Sequence, residues 1–222
     1  MRYFIGDTET TGLHKAKAVE VAFIEIDPYS LDTLRSWQSL IDPEMPISPG
    51  ATEIHGIHDH HVLTEPTIEE YVSVVMGGRI EDPCTFIAHN VKFDKPFFAP
   101  ILNIERTFCT LQHVRRLLPA LENHRLGTMA THFGVDPGSA HRAMDDVLTV
   151  QACLRQMLRL DGRDLLSLLN VPRHTIYTMP FGEHKDRPLE SLPRQYRTWL
   201  LLEASIDDDL RYSLMQLRAA EI

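Results

Sequence analysis

The first half of the chain alternates short apolar runs with turn-like breaks. RYFIGDTE (residues 2–9) reads as a strand that begins apolar at Phe4 and Ile5 and ends in acids. AVEVAFIEID (18–27), rich in β-branched residues, reads as a second strand, and LRSWQSLIDP (34–43) as a weaker third. The gaps are short and the texture has a period of two, which predicts an antiparallel meander. TIEEYVSVVMGG (67–78) has helical spacing and a glycine stop. CTFIAHN (84–90) and IERTFCT (104–110) are apolar runs, each followed by a helical stretch. Strands first, then strand–helix alternation, predict a mixed sheet with helices packed on it, an α/β fold. TLQHVRRLLP and HRLGTMATHFGV read as short helices, and HRAMDDVLTVQACLRQMLRL (141–160) contains the clearest long one. DGRDLLSLLNVPR (161–173) reads as a helical turn and a connector ended by Pro172. New texture after it places a domain boundary near residue 173, giving units 1–173 and 174–222.

Composition narrows the class. The 222 residues fit one large domain or one domain with a small appendage. An apolar fraction of 43% supports a core. No apolar run reaches the length of about 18 residues that a membrane helix needs, and Asp7 and Glu9 interrupt any signal-peptide core. Three widely spaced cysteines, Cys84, Cys109 and Cys153, read as free thiols in a reducing cytoplasm. A net charge of −9 argues against a general, tight nucleic-acid binder. It leaves room for an enzyme that grips a few nucleotides through local contacts and metal ions.

The acids carry the candidate chemistry. On a strand, Asp7 and Glu9 point to the same side, where two like charges need a cation. A lone pair of this kind more often ends a strand in solvent. Here Gly12 and three threonines adjoin it, so backbone N–H groups and hydroxyls can approach a ligand. Carboxylates without a basic neighbour suit a hard divalent ion. Asp94, taken alone, reads as an N-cap for a helix with Pro96 in its first turn. In HRAMDD, helical phase places Asp146 among Ala143, Val150, Cys153 and Met157, pointing inward, and Asp145 on the polar side, facing solvent and available to a basic neighbour. An inward acid needs a cation. His141, just before the helix, is the side-chain type suited to proton transfer near neutral pH.

DTETTGL, IAHNVKFD and HRAMDD together resemble, in order and spacing, the three motifs of the DEDDh 3′–5′ exonucleases, which include polymerase proofreading subunits and RNase T-like enzymes. The His-x4-Asp spacing of the last motif also selects Asp146 over Asp145. ISPGATEIHGI resembles the family's segment at the terminal nucleotide, and HRLGTMATHFGV the helix before the third motif. The resemblance covers roughly residues 1–160. MPFGEHKDRPLESLPRQYRTWLL is similar to the small C-terminal module of exodeoxyribonuclease X-type proteins. Glu183 and Asp186 stand where that module has a lysine and a second glycine.

The resemblance implies a ribonuclease H-like fold, a mixed five-stranded sheet flanked by helices, plus a small α-rich C-terminal module. It implies two-metal phosphodiester hydrolysis with Mg²⁺ or Mn²⁺. Asp7 would bridge both ions, Glu9 and Asp146 would complete the first site, and Asp94 would help hold the second. His141 would act as the general base, releasing nucleoside 5′-monophosphates from the 3′ end of DNA. Thr8, Thr10, Thr11, Gly12, Leu13, His55, Asn90 and Phe93 would line the substrate. Phe93 and Phe97, read from pattern alone, are core residues. Arg115 and Arg116 read as a solvated helix face. His55, His58, His60 and His61 also allow a zinc reading, but their spacing matches no common closed zinc set.

The leading expectation is a cytoplasmic exodeoxyribonuclease acting on single-stranded DNA. An exoribonuclease trimming small RNAs, or an accessory subunit bound to a polymerase, are the alternatives. No membrane contact is expected. The acidic changes at Glu183 and Asp186 turn the expectation for the module toward a protein partner or a homodimer.

Overall fold

The computed structural model describes residues 1–139, 141–170, 175–202, 206 and 208–220. The boundary expected near residue 173 and the stop at Pro172 lie outside the described residues. The chain divides into two compact units, Met1–Leu169 and Asn170–Ile222.

The first unit begins with β1 (Arg2–Thr10), β2 (Ala18–Ile26) and β3 (Thr33–Leu40). Short helices α1 (Pro49–His55), α2 (Asp59–Val62) and α3 (Ile68–Glu70) follow, the last running on as a π-helical turn, Tyr71–Val75. Next come β4 (Ile80–Ala88), α4 (Val91–Phe98), β5 (Leu102–Cys109), α5 (Thr110–Leu117), α6 (Leu126–Phe133), α7 (Ala143–Asp161) and α8 (Leu165–Leu169). The five strands form one mixed sheet in the order β3-β2-β1-β4-β5. The expected meander supplies its antiparallel half, and β1, β4 and β5 run parallel.

Strand alternation gives the sheet two buried faces. Ile5, Ala22, Ile24 and Ile87 pack on one side with Val147, Val150, Cys153 and Met157 of α7. Phe4, Val21, Phe23 and Phe86 pack on the other with Val91 and Phe98 of α4. Asp7 and Glu9 share the parity of Ile5, so the strand that buries Ile5 against the α7 layer carries both acids to that side. Gly6 belongs to the opposite face. A Cβ there would come within 2.6 Å of the Phe86 ring and 2.8 Å of Phe98. Only glycine lets α4 settle this close to β1, and α4 carries Asp94.

The second unit contains a short 3₁₀ turn, Leu189–Ser191, then α9 (Arg194–Leu202) and α10 (Asp208–Ala220). Met179, Leu189, Leu192, Leu200, Ile206, Leu210 and Leu214 form its own small core. Tyr177, Phe181, Trp199 and Leu202 remain exposed. Among the described residues, no helix is long and apolar enough to cross a membrane.

Candidate active site

Three elements deliver the acids. β1 carries Asp7 and Glu9. Asp94 lies inside α4, which starts at Val91 behind Asn90, whose backbone is left-handed at φ 77°. The capping role open to Asp94 is therefore not the one it plays. Its carboxylate is buried and accepts the Thr8 hydroxyl at 2.9 Å. Thr8, expected at the substrate, instead turns to the α4 side and anchors an acid.

Asp146 sits one turn into α7, where the helical-phase reading placed it. The buried residues of its face include Ala143, Val150, Cys153 and Met157. His141 precedes the helix in a left-handed conformation, φ 67°, and its backbone N–H donates to Asp146 Oδ2 at 3.2 Å. Asp145 differs from expectation. It is half-buried where solvent exposure was expected, its Oδ2 accepts the Ser139 N–H at 3.0 Å, and its charge bears on the neighbouring Arg142.

Glu9, His141 and Asp146 each offer a ligand atom within 4.8 Å of the others. The charges of Asp94, Asp146 and Glu9 all bear on Asp7. Burial, then these neighbours, hold the Asp7 carboxyl well above the usual carboxylate range. Burial and the charges of Asp146, Glu20 and Asp94 push Glu9 up to about 8. Asp94 and Asp146 are raised too, mainly by burial, with Thr8 and His141 respectively opposing. Among the described residues no ion pair engages any of the four. Four crowded carboxylates that make no ion pair among the described residues, with no cysteine among them, fit hard divalent cations.

The loop after β1 is built for a close approach. Thr10 donates its hydroxyl to the Gly12 carbonyl at 2.9 Å, and Ser48 N–H donates to Thr11 O at 3.0 Å. Gly12, at φ 150°, faces Ser48 Oγ, which a Cβ would meet at 3.1 Å. Leu13 projects into solvent. Thr11 Oγ1 accepts the Lys17 N–H.

His55, expected at the substrate, is held within the protein. It is buried, with Nε2 at 3.1 Å from the Thr10 carbonyl and Nδ1 accepting the Ile57 N–H at 3.0 Å. Both ring nitrogens are engaged, Nε2 tying α1 to the end of β1 and Nδ1 holding the turn after α1, so it shapes the loop from behind. Phe93 is half-buried against Phe97, with ring centroids 5.8 Å apart. Asn90 is exposed at the start of α4. His58, His60 and His61 cluster on the surface, but among the described residues only Glu9, His141 and Asp146 converge closely enough for a metal ion.

Sequence reasoning missed Glu20. This β2 residue is fully buried directly opposite Glu9. Its carboxylate accepts Arg142 Nη2 at 2.9 Å and Nε at 3.2 Å, Gln38 Nε2 at 2.9 Å and the Ala143 N–H at 3.1 Å. The signal was present as a charge at an inward-facing position of an apolar strand.

A mixed five-stranded sheet with acids converging on its central strand defines a ribonuclease H-like nuclease of the DEDDh type. The chain matches the RNase_T family model, described as Exonuclease, over residues 4–154, and it belongs to that family. It is 25% identical to Escherichia coli exodeoxyribonuclease 10 over 218 residues, covering 94% of each chain. It is 28% identical to the Bacillus cereus PolC-type DNA polymerase III over 167 residues, 71% of this chain but only 11% of that protein's length. Among solved structures, exonuclease X in complex with 5′-overhanging duplex DNA superposes with a TM-score of 0.61 at 26% identity, covering 76% of this chain and 98% of that one. The chain is thus a nuclease hydrolase of a family that depends on divalent metal ions.

Proposed function

We propose that this protein is a 3′–5′ exodeoxyribonuclease that releases nucleoside 5′-monophosphates, using Mg²⁺ or Mn²⁺. The supporting observation is the convergence of Asp7, Glu9, Asp94 and Asp146 beside His141, with no ion pair to any of the four among the described residues. Asp7, Glu9, Asp94 and Asp146 would hold two ions. Bound there, the ions supply charge stabilisation to the attacking and leaving oxygens of the phosphodiester. A ring nitrogen of His141, exposed beside Asp146, accepts a proton from the attacking water. Glu9 and the Thr10 backbone receive the terminal 3′-hydroxyl, while Gly12 and Leu13 shape the path beyond it. Phe93 and Asn90 lie at the start of α4, on the same side of the sheet as Asp94.

The choice of DNA rests on exodeoxyribonuclease 10, matched over 94% of both chains, and on the DNA-bound exonuclease X, matched over 76% of this chain and 98% of that one. We place the chemistry in residues 1–173 and an accessory role in 174–222. The exposed Tyr177, Phe181 and Trp199 offer that module a surface for a protein partner, a second copy of this chain included. Three free cysteines, two of them buried, suit a reducing cytoplasm.

The test is digestion of 5′-labelled single-stranded DNA, duplex DNA and RNA of one sequence, with Mg²⁺, with Mn²⁺ and with chelator. The expected result is a DNA ladder shortening from the 3′ end, lost in chelator and slowed by a blocked 3′-hydroxyl. Equal cleavage of circular DNA, or a preference for RNA, would overturn the reading.

A further inference from the structure

Beside the acid cluster stands Glu20, a buried carboxylate that accepts four hydrogen bonds, two at each oxygen. It stands opposite Glu9 in the β1–β2 register and faces the same side. Directly opposed like charges on neighbouring strands repel. Arg142 answers this with a two-pronged contact, Nη2 to Oε1 at 2.9 Å and Nε to Oε2 at 3.2 Å. Gln38 of β3 takes Oε1 from the other side, at 2.9 Å.

The fourth bond says what the arrangement does. The first N–H groups of a helix have no partner within it. At α7 the N-cap is Arg142, whose side chain makes no cap hydrogen bond. The Ala143 N–H donates to Glu20 Oε2 at 3.1 Å instead. Glu20 therefore caps α7 from another strand, where a negative charge also complements the helix dipole. It grips the helix one turn before Asp146.

The turn between His141 and Ala143 is pinned at both ends. The His141 N–H donates to Asp146 at 3.2 Å, and Arg142 reaches back to Glu20. His141 holds a left-handed backbone, φ 67°, that an L-residue adopts only when its surroundings impose it. The Arg142 side chain is 47% exposed while Glu20 is 1% exposed, so the pair is rooted in the sheet and open at its outer end.

We propose that Glu20 and Arg142 are positioning residues, a latch between β2 and the start of α7 that sets Asp146 and His141 against Glu9. This rests on the nuclease reading of the acid cluster. Neither residue touches the reacting atoms in this scheme. Their effect passes through Asp146 and His141.

The test compares wild type, Arg142→Gln, Glu20→Gln and the double variant, each as the full chain. Mn²⁺ affinity by calorimetry is read apart from catalysis, and thermal melting checks the fold. Steady-state rates on a 5′-labelled oligodeoxynucleotide separate kcat from KM. Arg142→Gln should weaken Mn²⁺ binding or lower kcat about 10–100-fold, the range for partners that orient metal ligands. KM should change less than about twofold, and the double variant should be no worse than the more damaged single one, as for two members of one unit. If Glu20→Gln does not fold, Arg142→Gln and the double variant still decide. A raised KM with kcat and Mn²⁺ affinity unchanged would make Arg142 a phosphate contact and overturn the latch. So would losses that add in the double variant. If wild type degrades no oligonucleotide, the exonuclease reading fails by itself, and the calorimetry still decides the latch. A wild type that binds no Mn²⁺ overturns both.

Discussion

Glu9 and Glu20 face one another across β1 and β2, are both buried, and end in opposite states. Burial raises both. At Glu20 the bonds from Arg142, Gln38 and Ala143 outweigh it, and the carboxyl lies below its ordinary value. At Glu9 the neighbouring charges add to burial, Arg142 relieves them only in part, and the carboxyl rises to about 8. A buried acid with all its partners is architecture. A buried acid left without them, among others like it, is a place for something absent from the chain itself. Partner inventory separates the two classes; burial alone does not.

The largest effect should come from the centre of the uncompensated class. Asp7→Asn should reduce hydrolysis to background. The same variant should melt higher than wild type in metal-free buffer at pH 8, because the buried, crowded cluster then has one carboxyl fewer to accommodate. Glu20→Gln should melt lower, because a paired charge leaves Arg142 and the α7 terminus short of an acceptor. Melting curves of the two variants carry the comparison directly. Shifts of the same sign would end it.

His141→Ala should lower kcat about 10²–10⁴-fold, the usual range for a lost general base. The convergence of His141 with Glu9 and Asp146 makes calorimetry the sharper reading. Near-wild-type Mn²⁺ affinity keeps His141 as the base. A large loss of affinity would move it among the ligands.

Metal should act as the missing partner, and its effect should depend on pH. Glu9 has a folded value near 8 against an ordinary value of 4.5. The folded protein therefore holds the proton more tightly across that window. Its contribution to stability is present below about pH 4.5 and is lost as pH rises through about 8. Mn²⁺ at about a hundred times its Kd should add about 2.7 kcal/mol. For a chain of this size that is roughly 5–10 °C in Tm. The shift should be largest at pH 8 and small at pH 5.5, where protons compete for the same oxygens. A shift independent of pH would mean that the ion binds elsewhere.

Much of this was legible because period and phase are local. Alternation gave the strands, and a helix wheel chose Asp146 over Asp145. The turn that sets His141 beside Asp146, and the roles of Thr8, His55 and Glu20, were not legible. The turn rests on the left-handed backbone of His141, and the three roles each depend on a contact between residues far apart in the chain. Thr8 and Asp94 are 86 positions apart, His55 and Thr10 are 45 apart, and Glu20 and Arg142 are 122 apart. The capping role open to Asp94 failed for a related reason. Asn90 can adopt a left-handed backbone, which starts α4 a turn earlier than Asp94 and Pro96 alone implied.

The smallest effect should come from the acid next to the site. Asp145 adjoins Asp146 in α7, yet its carboxylate already has a donor, the Ser139 N–H at 3.0 Å. Its side chain also lies against Gly138, where a Cβ would come within 3.1 Å of the carboxyl carbon. Asp145 thus holds the 138–139 turn against the helix and, unlike Asp146, is not among the described residues that converge with Glu9 and His141. Asp145→Asn keeps the shape and an acceptor oxygen while removing the charge. Activity should stay within about threefold of wild type, and stability should fall by no more than about 1 kcal/mol, the net worth of one hydrogen bond. Oligonucleotide hydrolysis and thermal melting measure both. A loss of turnover comparable to that of Asp7→Asn would place Asp145 among the uncompensated acids, and partner inventory would no longer distinguish the site from its scaffold.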